Sequence, residues 1–192
     1  MDDNELVEHV YANGLNSLDE HDLQQWMHLA NTADLVAQIN VLSVITQRVP
    51  DDGLAHSLFA ERAIGYASYR FMNGIRSLPV FIAMNPEELT VKILTAAIAS
   101  CESLLSACTQ PGGTASIQAV YHTLGKLHIL AGNEASARDA LEAANSPEAA
   151  ELMKQLRFHG LTGARIEVAA HAVVNLDSIA SGLGPHTPFV YE

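Results

Sequence analysis

Basic residues are scarce in this chain. Ten Lys and Arg stand against 22 Asp and Glu in 192 residues, a formal net charge of −12. A nucleic-acid backbone would be repelled by such a surface instead of finding the cations that bind phosphate, so nucleic acid is not expected as a partner. An anionic membrane is disfavoured on the same ground. Aromatic residues make up only 6% of the sequence, and Ala and Leu take their place, a bias that suits closely packed helices. There are two cysteines, Cys101 and Cys108. Within one helix their Cα atoms lie about 10 Å apart, beyond the reach of a disulfide. Two buried thiols in a reducing cytoplasm is the expectation. The opening MDDNELVEHV lacks the basic and apolar regions of a signal peptide. No run of about 18 apolar residues is present, so no membrane span is expected.

Signatures of chemistry are missing too. The chain has no H-E-x-x-H, E-x-x-H or C-x-x-C, and no G-x-S-x-G or S-x-x-K. Nine histidines invite a metal reading. However, His21 and His28 are seven apart, and His122 and His128, six apart, fall nearly opposite each other on a helix. Cys101 and Cys108 sit on an apolar stripe with no adjacent cation to activate a thiol. The expectation is no enzyme, no metal and no cofactor.

What the chain does contain is 48% apolar residues, enough to argue against disorder over most of its length. Their spacing predicts helices. The first covers 3–13, with Leu6, Val7, Val10 and Tyr11 on one side, and stops at Asn13-Gly14. Ser17-Leu18-Asp19-Glu20 has the form of a capping box and predicts a helix over 17–30 that buries Leu23, Trp26, Met27 and Ala30. Leu35, Val36, Ile39, Leu42 and Ile45 predict a helix ending before Pro50, although INVLSVIT within it is β-branched enough for a strand. Asp51 or Asp52 is set to cap a helix over about 53–77, with Leu54, Leu58, Ala63, Ala67 and Phe71 as its core stripe. Asn85-Pro86-Glu87-Glu88 offers a cap, a Pro at the first position and acids in the first turn. The helix it starts runs to about 109. Thr114 is expected to cap the next, Ser146-Pro147-Glu148 to start another that stops at Gly160, and Thr162 to start the last, to about Ser181. RIEVAAHAVV in that last segment is also compatible with a strand. The fold expected is all-α: one domain over 1–181, built of antiparallel helix pairs, as a helical array or an irregular bundle. The stretch 182–192, rich in Pro and Gly, is expected to be an irregular tail, either docked or frayed.

Residues 118–149, QAVYHTLGKLHILAGNEASARDALEAANSPEA, carry the most specific pattern. Two short helices are joined at Gly132-Asn133. Gly125 and Ala137 are small enough for those helices to approach closely, Tyr121 and Leu141 fill the space around them, and Gly132 supplies a left-handed helix end. With Gln118 as first position, the segment resembles a tetratricopeptide (TPR) repeat, a helix–turn–helix unit of about 34 residues. Tyr121 falls on the early aromatic, Leu124-Gly125 on the Leu-Gly pair, Gly132 on the turn, and Ala137, Leu141 and Ala144 on the small–large–small pattern of the second helix. It departs from the family at His128, where an aromatic is usual, and at Ala149, where the closing proline is expected and Pro147 comes two positions early. The pairs 17–30 with 32–48 and 54–77 with 86–109 have the architecture without the signature.

The resemblance implies a non-enzymatic scaffold or chaperone-like adaptor. The first helix of such a unit lines a groove for a partner peptide or helix, which here assigns partner binding to Ala119, His122, Lys126, Ile129 and Leu130. His122 and Lys126 share a face and could both donate to a carboxylate. At the level of class the chain is similar to small TPR chaperones of bacterial secretion systems. Two other readings stand beside this one. They are a homo-oligomeric structural protein of phage or bacterial origin, and a helical-bundle enzyme or ligand-binding protein using buried histidine.

Overall fold

The computed structural model describes residues 3–14, 17–31, 35–48, 50–73, 86–107 and 114–173. Asn85, Cys108, Ser181 and the tail 182–192, about which the sequence raised expectations, lie outside them. Among the described residues there are eight helices and no strand. They are α1 (Asp3–Asn13), α2 (Glu20–Asn31), α3 (Leu35–Arg48), α4 (Gly53–Asn73), α5 (Pro86–Ala107), α6 (Thr114–Ala131), α7 (Glu134–Ala144) and α8 (Pro147–Val173). INVLSVIT is helical, and so is RIEVAAHAVV as far as Val173, the last residue described.

Local chemistry sets most of the boundaries. Gly14, at φ 76°, ends α1, and its N–H donates to Val10 O at 2.9 Å. The start of α2 differs from the capping-box expectation. The Asp22 N–H donates to Asp19 Oδ1 at 2.8 Å, so Asp19 is the cap. Ser17 is instead engaged with Gly14 O (2.7 Å) and His9 Nε2 (2.8 Å). Asp52 caps α4, accepting from the N–H groups of Leu54 and Ala55 at 3.1 and 3.0 Å. Ser146 caps α8 through the Ala149 N–H at 3.1 Å. Gly160, at φ 64° and ψ −168°, breaks α8 where a stop was expected, but the chain turns straight into a further helical stretch instead of pausing before Thr162.

Two apolar clusters hold the helices. The smaller joins Leu6 and Val10 of α1, Leu18, Leu23 and Trp26 around α2, and Val41 and Val44 of α3. The larger takes the other side of α3, Leu35, Ile39 and Leu42, and continues through α4 to α8. α3 is thus buried on both sides, which explains why INVLSVIT carries no charge and why even its polar residues Asn40, Ser43 and Thr46 are buried.

α4 is the hub, packed against α3, α5, α6 and α8. Its core residues are Ala55, Phe59, Ala60, Ala63, Tyr66 and Ala67. The single stripe expected from the sequence was therefore placed too far round. Ala63 and Ala67 are core, but Leu54 is 70% exposed and Phe71 38%. α5 was expected to present Leu89, Ile93, Leu94, Ala97, Cys101, Leu104, Leu105 and Cys108 to its neighbours; the first six are buried and Leu105 is half-buried, while Cys108 lies outside the described residues. By length and mean hydropathy (1.4) Glu87–Ala107 also meets the composition test for a membrane span, and 44% of that window is buried. Packing between α4 and α6 accounts for its apolar stripe.

α6 and α7 meet where the sequence places a small-residue contact. A Cβ on Gly125 would lie 2.6 Å from Leu141 Cδ2 and 2.7 Å from its Cγ. The turn between the helices closes with two hydrogen bonds, Gly132 N–H to Ile129 O (3.2 Å) and Asn133 N–H to His128 O (2.9 Å), and Gly132 has φ 89°. This is the Schellman arrangement, and it requires the left-handed residue. α8 then locks onto this end of α6. The Arg165 guanidinium donates through Nε to Ile129 O (3.1 Å) and through Nη2 to Leu130 O (3.3 Å). Gly132 makes room for it, since a Cβ there would lie 2.9 Å from Nη2. A cation on the last carbonyls of a helix is favourable electrostatically as well as through hydrogen bonding.

Two outcomes follow for stability. Gly125→Ala is expected to cost about 1–3 kcal/mol through overpacking. In combination with Leu141→Ala the losses should be less than additive, because the new methyl group enters the space that Leu141 vacates. Thermal and urea melts of the two single variants and the double variant check this. Arg165→Met is expected to cost about 2 kcal/mol, and Arg165→Lys should recover only part of it, because an ammonium lacks the guanidinium fork. Equal melting temperatures for Arg165→Met and the parent would remove the capping role.

Candidate functional site

α6 carries all five positions that the sequence assigns to partner binding, and the structure divides them. Ile129 is 0% exposed and Leu130 9%. Both are core residues whose carbonyls are held by Arg165, so they line no open groove. They fall on the same stripe of α6 as His122 and Lys126, and α8 packs along that stripe.

His122 and Lys126 are half-buried and face the first turn of α8, where Ser146 and Pro147 place Glu148. Burial pushes the His122 imidazole below its ordinary value, and the Lys126 charge adds to this while Glu148 opposes it. Burial likewise lowers Lys126, again opposed by Glu148. Glu148 is held below the usual carboxylate range by a backbone hydrogen bond and the Ser146 hydroxyl, then by His122 and Lys126. His122 Nε2 and His128 Nδ1 are buried with no hydrogen-bond partner among the described residues. His128 replaces the aromatic of the repeat pattern as a buried ring. Its ionisation is pushed down by burial and drawn back by Glu102 of α5.

Ala119, the fifth position, is exposed on the rim of a cavity of about 330 Å³ between α4, α5 and α6. His56 forms part of its wall. Its Nε2–H donates to Pro50 O at 3.1 Å, since a carbonyl can only accept, and Nδ1 meets Ser100 Oγ at 2.5 Å. Both ring nitrogens are therefore committed to tying α4 to α5. Cys101 also lines the cavity. Burial, with a smaller contribution from Glu102, pushes its thiol up to about 12, so it is protonated at neutral pH and no nucleophile. Among the described residues no group of three or more His, Cys, Asp and Glu is placed to hold a metal.

A second surface lies between α7 and α8. It is an open depression of about 730 Å³ lined by Leu141, Ala150 and Met153, by the cations Arg138, Lys154 and Arg157, and by Glu142. Phe158 stands at its edge, 66% exposed, with the Arg157 guanidinium 5.8 Å from the ring centroid. Arg138 is braced by Glu134 at 2.7 Å and Lys154 by Glu151 at 3.4 Å. The sequence reading passed over these residues. The signal was a second stripe on α8, Ala150, Met153, Lys154, Arg157 and Phe158, offset from the core stripe Ala149, Leu152 and Leu156.

The imidazoles of His122 and His128, both pushed down by burial, set a pH dependence. Their folded values lie below the ordinary 6.5, so the unfolded chain takes up protons first as pH falls. Their favourable contribution is complete above 6.5 and is lost progressively below it. Melting temperature is expected to fall between about pH 7 and pH 5, and His128→Phe should flatten that fall. Melts of parent and variant across this range provide the check, and an identical slope would exclude His128 as a source.

No protein-family model, no curated protein and no solved structure matches this chain.

Proposed function

We propose that this chain is a non-enzymatic scaffold or adaptor, TPR-like across α6, α7 and α8, which holds a helix or extended peptide of a partner protein. Support for the repeat-like reading comes from the way α8 begins beside His122 and Lys126 and, beyond its break at Gly160, reaches the C-terminal end of α6 at Arg165, with α7 packed against both helices. A helix–turn–helix unit followed by the first helix of the next unit has this order. The groove-lining role passes from the α6 stripe to the α7–α8 depression.

The observation that carries the reading is Phe158, a large aromatic left two-thirds exposed beside that depression. Aromatic and Arg side chains around a concave apolar floor are typical of residues that dominate binding energy. α7 has 11 residues and so is about 16 Å long, which matches about three turns of a partner helix laid along it. Arg138 and Lys154 are already paired with Glu134 and Glu151, and Glu142 also lines the depression, so Arg157 is the cation placed to meet a carboxylate on the partner. A reducing compartment such as the cytoplasm suits the free thiol of Cys101.

Cross-linking and mass spectrometry in the native host would identify the partner, and affinities of purified variants would then locate its site. Phe158→Ala with Arg157→Glu is expected to weaken binding by about thirtyfold, or about 2 kcal/mol. Lys126→Glu with His122→Ala should leave it nearly unchanged. The reverse pattern would return the site to α6 and dismiss the α7–α8 surface.

A further inference from the structure

The cavity between α4, α5 and α6 has no part in the adaptor reading, yet it has the features of a small-molecule site. Its volume of about 330 Å³ is roughly twice that of a cavity that takes one benzene-sized guest, which allows roughly ten to twelve non-hydrogen atoms. Leu104 and Leu105 of α5, and Ile117 and Val120 of α6, give it apolar walls. Its polar side comes from the start of α4, where Asp51 and Ser57 are both exposed to solvent.

Charge decides what head group fits there. A helix N-terminus ordinarily attracts an anion, but Asp52 already occupies the end of α4 as its cap, and Asp51 adds a second carboxylate. Among the described residues no Lys or Arg lines the cavity. His56 is there, but Pro50 and Ser100 hold both its ring nitrogens. A carboxylate or phosphate head would meet repulsion without a counter-charge. An ammonium would meet Asp51.

We propose that this cavity binds a small amphiphilic amine, with an apolar chain of about eight carbons among Leu104, Ile117 and Val120 and its ammonium at Asp51. Calorimetry and thermal melts of the full chain with octylamine, octanol, octanoate and methylamine, all below micelle-forming concentrations, test it. Octylamine should bind and raise the melting temperature, as a ligand selective for the folded state must. Octanol should bind about fivefold more weakly, and octanoate and methylamine should have no effect. Asp51→Asn should reduce octylamine to the level of octanol. Ala119→Trp, at the exposed rim, should fold normally by circular dichroism and block both. The proposal fails if octylamine gives neither heat nor shift, or if octanoate or octanol equals it. It fails equally if methylamine reproduces the shift, which would indicate general attraction to an acidic surface, or if folded Ala119→Trp binds octylamine unchanged.

Discussion

A Cβ absent from position 125 fixes the geometry on which the C-terminal half of this protein depends. Leu141 occupies the place where that atom would stand, so α6 and α7 approach closely enough for Ala137 and Ala144 to be buried completely. The depth of that contact determines where α7 ends, and Asn145, in a left-handed conformation, turns the chain into Ser146 and the start of α8. From there Glu148 comes to face His122 and Lys126, and Arg165 reaches the end of α6. A single close approach thus places a titrating cluster against the middle of α6 and a guanidinium cap at its C-terminal end.

α4 imposes the second constraint. In an open solenoid each unit touches only its neighbours, which leaves the inner helices to line a groove. Here α4 packs against α8 as well as α5 and α6, so the C-terminal helices close back onto the hub helix, and α8 lies along the His122–Lys126–Ile129 stripe of α6. The gain is an extended core through α3–α8. The stripe carrying His122, Lys126, Ile129 and Leu130 becomes a largely internal contact, and the accessible relief lies at the α7–α8 and α4–α5–α6 junctions.

The features legible in the sequence are those decided within a few residues. Asp52, Ser146 and Pro86 each satisfy or avoid backbone groups in their own first turn, and Gly132 needs only its own φ, so their positions could be read directly. The Gly125–Leu141 contact was legible because both residues belong to one hairpin. Ser17 misled because two carboxyl-bearing candidates follow it and Asp19 is better placed, while Ser17 is drawn back to Gly14 and His9. Leu54 and Phe71 misled for a different reason. Helical spacing identifies a stripe but not how many neighbours a helix has, and a hub helix buries small residues such as Ala55 and Ala60 on several sides while leaving large ones outside. Arg165 on the end of α6 spans 36 residues of sequence, and no local pattern announces it.

The separation of the two apolar clusters has a consequence for how the chain opens. α1 and α2 are held through Leu6, Val10, Leu23 and Trp26 to one side of α3, with Arg48 adding a tie to the Leu18 carbonyl. None of these residues belongs to the larger cluster. Detaching the pair therefore exposes only the outer side of α3 and leaves Ile39, Leu42 and everything beyond them packed. Such a segment is a cooperative unit of lower free energy than the whole, so the N-terminal pair can exchange its amide hydrogens, or lift away to uncover Val41 and Val44, without unfolding the rest.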